Sequence, residues 1–170
     1  MRILRTADWH LGRSLHGQRL IEDQRHALEG LLDLCAAEEV DVLLIAGDVY
    51  DRAQPPAEAV DLLDEVLDRA VRELDMKVVM IAGNHDSPER LSWCAGLLGR
   101  QGLHVHGQVE ATPRIVHLKD AHGPVHFCLL PYVEPAWARQ VFGDDEIKDH
   151  DGAVAAAVDS IRTGLPAGER

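Results

Sequence analysis

The sequence predicts an α/β fold built on a parallel sheet, and two observations carry that prediction. Three short apolar runs, Arg2–Ala7, Val42–Ala46 and Lys77–Ala82, alternate with segments of helical periodicity, and each run ends in a motif rich in Asp, His or Asn. Strand and helix alternating at this length bring successive strands together in parallel, because a parallel pair needs a long crossover, usually a helix.

Arg2 to Ala7 reads as a short β-type run, followed by a glycine-containing loop to Gly17. From about Leu20 to Glu39, Leu28, Leu31, Leu32 and Cys35 recur at helical spacing with Glu22, Asp23, Arg25 and Glu29 between them, which predicts an amphipathic helix. Val42 to Ala46 is continuously apolar, the pattern of a strand buried on both faces. Pro55-Pro56 closes the next loop, and Pro56 suits the opening of a helix to about Leu74 with Val60, Leu63, Val66, Leu67, Ala70 and Val71 as its apolar stripe. Lys77 to Ala82 repeats the strand, and Ser87-Pro88 predicts an N-cap and first turn for a helix through about Leu98. From Leu103 the pattern changes to successive short strands, His104-Val105-His106, Ile115–Leu118 and Val125–Leu130, with Gly and Pro between them. Little helix is expected before Pro135. Asp151 to Ile161 predicts a last helix, with Gly164 and Pro166 as stop signals.

With 170 residues, one domain with a continuous core is expected. The chain is 46% hydrophobic and 27% charged, and no apolar run approaches the roughly 20 residues that span a bilayer. The N-terminus carries Arg5 and Asp8 where a signal peptide would be apolar, so a cytoplasmic protein is expected. Cys35, Cys94 and Cys128 are odd in number and widely spaced, which predicts free thiols rather than a disulfide framework. A net charge of -12 argues against a domain that grips nucleic acid through a basic face of its own, since phosphate contacts dominate such binding.

The chemistry is carried by three motifs: Asp8-Trp9-His10, Gly47-Asp48-Val49-Tyr50-Asp51 and Gly83-Asn84-His85-Asp86. Asp, His and Asn suit hard or borderline divalent cations. In an open parallel sheet, loops at the carboxyl ends of the strands converge, so motifs remote in sequence can meet there. Asp8 and His10 are two apart and would share one face of an extended backbone, enough to bind one ion together. Asp48 can bridge two ions, and Asn84 offers an amide oxygen to the second. Two metals about 3.5–4 Å apart can activate a water and steady in-line attack on phosphorus. His85 could then protonate the leaving oxygen, with Asp51 accepting its other N–H. Asp86 is expected to cap the following helix together with Ser87. The glycines before Asp48 and Asn84 would let the backbone turn sharply. These residues predict a metal-dependent hydrolase of phosphoesters.

D-x-H, then G-D-x-x-D, then G-N-H-D resembles the signature of the calcineurin-like metallophosphoesterase superfamily. Within it, Thr6–Gly12, Ala46–Asp51 followed by Pro55-Pro56, and Ala82–Ser87 are similar to the SbcD-like branch of bacterial DNA nuclease subunits. The similarity runs from residue 1 to about 135. It implies a layered αββα sandwich of which residues 1–170 form the N-terminal part. It also implies one Mn²⁺ held by Asp8, His10 and Asp48, a second held by Asp48 and Asn84, and His85 as catalytic histidine. Members of this branch act as 3'-5' exonuclease and endonuclease in DNA repair and recombination, with an SbcC-like, SMC-like coiled-coil ATPase as partner. That partner could supply the basic surface that this chain lacks.

The family completes its metal cluster with a later Gly-His and Gly-His-x-His, and no Gly-His dipeptide occurs in this chain. His104-Val105-His106 has suitable spacing but reads as alternation within a strand, and His117, His122, His126 and His150 have no motif context. A chain missing the second half of the core should expose apolar strand surface and edges. Three functions remain open at this point: a DNA nuclease subunit, another phosphoesterase of the same fold, and a catalytically incomplete fragment. Arg52, placed directly after Asp51, favours the second.

Overall fold

The computed structural model of the protein describes residues 1–165. β1 (Ile3–Thr6) leads through a small hairpin, β2 (Ser14–Leu15) and β3 (Gln18–Arg19), into α1 (Ile21–Ala37). β4 (Val42–Ala46) is followed by α2 (Ala57–Asp68), and β5 (Lys77–Ile81) by α3 (Pro88–Leu91) and α4 (Ala95–Leu98). β6 (Leu103–His106) then gives way to β7 (Arg114–Asp120), β8 (Gly123–Leu129), α5 (Pro135–Phe142) and α6 (His150–Gly164).

The predicted parallel sheet is present in β1, β4 and β5, and β6, expected only as one of several later short strands, extends it: the four lie side by side in that order, all parallel. The continuous apolar character of β4 and β5 follows from burial on both faces. Leu43, Ile45, Val78 and Met80 pack on the helical side against Leu28 and Leu32 of α1 and Leu62, Leu63 and Val66 of α2. Val42 and Val79 point the other way, onto Val116 and Leu129 of the β7–β8 hairpin. That hairpin is antiparallel, with Val116 opposite Phe127 and His117 opposite His126. It covers the second face incompletely, leaving a cavity of about 320 Å³ among Arg5, Leu44, Ile81 and Phe127. Ile3, on the edge strand β1, is 45% exposed, as a partly covered sheet requires.

Four helical details differ from the sequence reading. The stripe of α2 centres on Ala59, Leu62, Leu63 and Val66, while Val60 lies at the surface. The helix reaches Glu73 only through a π turn, Arg69–Glu73, whose extra residue per turn keeps Ala70 buried. The single helix expected from Ser87 to Leu98 is broken: Cys94 has φ 59°, in the left-handed region where an α-helix cannot continue, and α4 restarts after it. The last helix begins at His150, because the Asp149 side chain accepts from the Gly152 N–H at 2.9 Å and caps it. The stop signal at Pro166 lies outside the described residues. The three cysteines are free, and no helix among the described residues is long and apolar enough to cross a membrane.

His104 and His106 occupy β6 in register with Val79 and Ile81, so the strand reading holds and neither joins a group of three ligand side chains among the described residues. Burial holds the His106 imidazole below its ordinary pKa, with Glu110 opposing and Arg114 reinforcing the shift. A histidine whose pKa is lower in the folded than in the unfolded chain contributes stability that is complete above the unfolded value. That stability is lost as pH falls through the folded value. The thermal midpoint is expected to fall between about pH 7 and pH 5, and to fall less in His106→Leu. Identical pH profiles for the two proteins would contradict this.

Candidate metal centre

The first two motifs leave adjacent parallel strands and continue side by side. Asp8 N–H donates to the Gly47 carbonyl at 3.1 Å, His10 N–H to Asp48 at 2.9 Å and Leu11 N–H to Val49 at 2.9 Å. This is not ordinary strand: Asp8, His10 and Asp48 have φ of 58°, 45° and 49°. The extended backbone expected at Asp8 and His10 is therefore absent. Left-handed kinks bring the side chains together instead, a conformation that Asp tolerates better than most residues and that the surrounding hydrogen bonds must hold.

The result is a convergence of donors. Single ligand atoms of Asp8, His10 and Asp48 lie within 4.8 Å of one another, as do those of His10, Asp51 and His85. His10 Nε2 stands 3.9 Å from Asp48 Oδ2. His10 Nδ1 is buried without a hydrogen-bond partner, 3.7 Å from Asp51 Oδ1. Carboxylate and imidazole donors, with a further carboxylate behind the ring, are ligand types that suit a divalent ion. Asn84 opens onto the same cleft as Asp8 and Asp48, a cavity of about 370 Å³.

His85 is anchored twice. Its N–H donates to Asp48 Oδ1 at 3.0 Å, and its Nδ1 sits 2.9 Å from the main-chain oxygen of Asp51. A carbonyl only accepts, so Nδ1 carries the proton and Nε2 is left for other work. The partner expected from sequence was the Asp51 carboxylate, but the loop turns that group toward His10 and presents the peptide oxygen. The Asp51 carbonyl bond raises the His85 pKa, and the charges of Asp48, Asp51 and Asp86 raise it further against the cost of burial.

Asp86 does not cap α3; Ser87 does so alone, its Oγ accepting from Arg90 N–H at 3.4 Å. Asp86 is buried at 6% exposure and accepts from the N–H groups of Val49 at 3.1 Å, Tyr50 at 2.9 Å and Gly83 at 2.9 Å. It thus ties the second motif to the third. Burial raises its pKa, although all three N–H bonds pull the other way. Gln24 of α1, which the sequence reading passed over, does the same for the first motif. Its Oε1 accepts from Gly12 N–H at 3.1 Å, and its Nε2 donates to the carbonyls of Trp9 at 3.0 Å and His10 at 2.7 Å.

The two motif glycines answer different needs. Gly47 has φ 91°, a turn that favours glycine. Gly83 does not, but a Cβ on it would fall 2.1 Å from Asp48 Oδ1 and 2.3 Å from Asp48 N. The remaining histidines are elsewhere: His117 and His126 face each other across the hairpin, Nδ1 to Nδ1 at 2.6 Å. His150 is the exception, since it lines the cleft with no motif to announce it. The family model described as calcineurin-like phosphoesterase matches residues 1–153.

Proposed function

The chain belongs to the calcineurin-like phosphoesterase family, a family of metal-dependent hydrolases, and from that premise we propose that it cleaves phosphodiester bonds of DNA using two Mn²⁺ ions. The convergence of Asp8, His10 and Asp48, with His10 Nε2 standing 3.9 Å from Asp48 Oδ2, is the observation that supports a metal there. In this reading Asp8, His10 and Asp48 hold one ion, and Asp48 with Asn84 holds the other. The bound ions would supply an activated water and charge neutralisation at phosphorus.

The chain's own residues account for the rest. The Asp51 carboxylate lies behind the His10 ring, 3.7 Å from its second nitrogen. The Asp51 carbonyl fixes the His85 ring with Nε2 outward, where a protonated imidazole would serve a phosphate oxygen or the leaving alkoxide. Gln24 and Asp86 keep the three loops in place. A net charge of -12 leaves DNA binding to a basic partner, and the SbcD-like motifs point to an SMC-like coiled-coil ATPase in that role.

Incubated with such a partner, Mn²⁺ and linear duplex, the protein is expected to cleave DNA. His85→Ala should lower the rate about a hundredfold or more, the usual contribution of a positioned acid. Absence of cleavage, or a His85→Ala rate equal to wild type, would sink the reading. Arg52, exposed beside Asp51, favours a second reading in which the substrate is a nucleotide, a phosphoprotein or a small diester. Hydrolysis of a chromogenic diester without any of DNA would select it.

A further inference from the structure

The cleft has a second wall that none of the three motifs supplies. Beside Asp8, Asp48 and Asn84, the 370 Å³ cavity is lined by Pro131, Tyr132, His150 and Val154. One side offers anionic and amide oxygens; the other offers rings and aliphatic surface. Inorganic phosphate has nothing to gain from the second side, whereas an organic group attached to the phosphate does.

Tyr132 is held from three directions. Its N–H donates to the Ala82 carbonyl at 2.9 Å, two residues before Asn84, so it is tied to the strand end that carries the third motif. Its hydroxyl lies 2.8 Å from Glu134 Oε2 and 2.9 Å from His150 Nε2. The single phenolic proton goes to the carboxylate, which only accepts, so His150 donates from Nε2 to the phenol oxygen. The two rings stand 5.6 Å apart between centroids, tilted by 40°. Tyr132 is thus a rigid, half-buried ring presented to an open cavity, with the mostly exposed His150 as its outer support.

We propose that Tyr132 and His150 form the subsite for the organic group of the phosphoester, taking a planar moiety such as a nucleoside beside the phosphate. The inference rests on the phosphoester reading and assigns these two residues to substrate positioning. Base stacking on an aromatic side chain contributes enough that its removal by alanine weakens binding about tenfold.

The test is calorimetric binding of thymidine 5'-phosphate and of inorganic phosphate to the full chain loaded with Mn²⁺. Wild type is expected to bind the nucleotide more tightly than phosphate. Tyr132→Ala should weaken nucleotide binding about tenfold while changing phosphate binding less than about twofold, and Tyr132→Phe should keep most of the nucleotide affinity. His150→Ala, at an exposed position, should weaken nucleotide binding about threefold through loss of the ring's support, and it serves if Tyr132→Ala does not fold. Equal nucleotide affinity in wild type, Tyr132→Ala and His150→Ala would overturn the subsite and leave the phosphoester reading standing. Failure of phosphate to bind the Mn²⁺-loaded wild type would overturn both.

Discussion

Asp48→Asn is expected to abolish tight Mn²⁺ binding and to lower phosphodiester hydrolysis at least about a thousandfold, while leaving the fold intact. Asparagine is nearly isosteric, tolerates the left-handed φ of 49°, and keeps an oxygen for the His85 N–H. What it removes is charge, at the position proposed to bridge two ions. A metal contributes several kcal/mol of charge stabilisation to such a transition state, and about 1.4 kcal/mol is a factor of ten in rate. The same substitution should raise the thermal midpoint of the metal-free protein by a degree or two, since a carboxylate near Asp8 and Asp86 is neutralised. Calorimetry with Mn²⁺ and melting in chelator check both halves. Unchanged metal affinity in the variant would remove Asp48 from the centre.

The largest loss of stability is expected from Asp86→Ala. The substitution leaves the N–H groups of Val49, Tyr50 and Gly83 without an acceptor in a buried setting. A hydrogen bond to a charged group contributes about 1.5–3 kcal/mol, and an orphaned buried donor costs about 1–3 kcal/mol. Water entering the gap recovers part of this, so a net loss of about 4 kcal/mol is expected, lowering the thermal midpoint by roughly 10 °C for a chain of this size. Asp86→Asn keeps one of the two carboxylate oxygens and should lose about half as much. Denaturant midpoints within error of wild type for Asp86→Ala would show that the three N–H groups find other partners.

The contrast between these two residues shows what a sequence discloses. Asp48 stood out in the sequence because metal chemistry restricts the residue type, and because a two-faced apolar strand such as Val42–Ala46 announces both itself and its carboxyl end. The parallel pairing of β1, β4 and β5 followed from the same pattern. Asp86 sat in the same motif, yet its partners at Val49 and Tyr50 are more than thirty residues away, and local pattern could offer only a helix cap. Gln24 was illegible for a related reason: one polar residue on an amphipathic helix looks solvated until the loop it faces is known. The break at Cys94 and the π turn after Asp68 are tertiary outcomes that override helical periodicity. Tyr132 and His150 meet across 18 residues through a strand end and a helix start, with no spacing rule to connect them.

The contact between Gly47 and Gly83 has a consequence for how the centre can vary. A Cβ on Gly47 would lie 2.9 Å from the Gly83 Cα, so the loops bearing Asp48 and Asn84 touch peptide to peptide. No rotamer and no side-chain volume intervenes at that seam. Its width is set by van der Waals contact between two stretches of main chain, so a side chain added at either glycine would force the loops apart. The spacing of the Asp48 and Asn84 loops therefore depends on both positions remaining glycine.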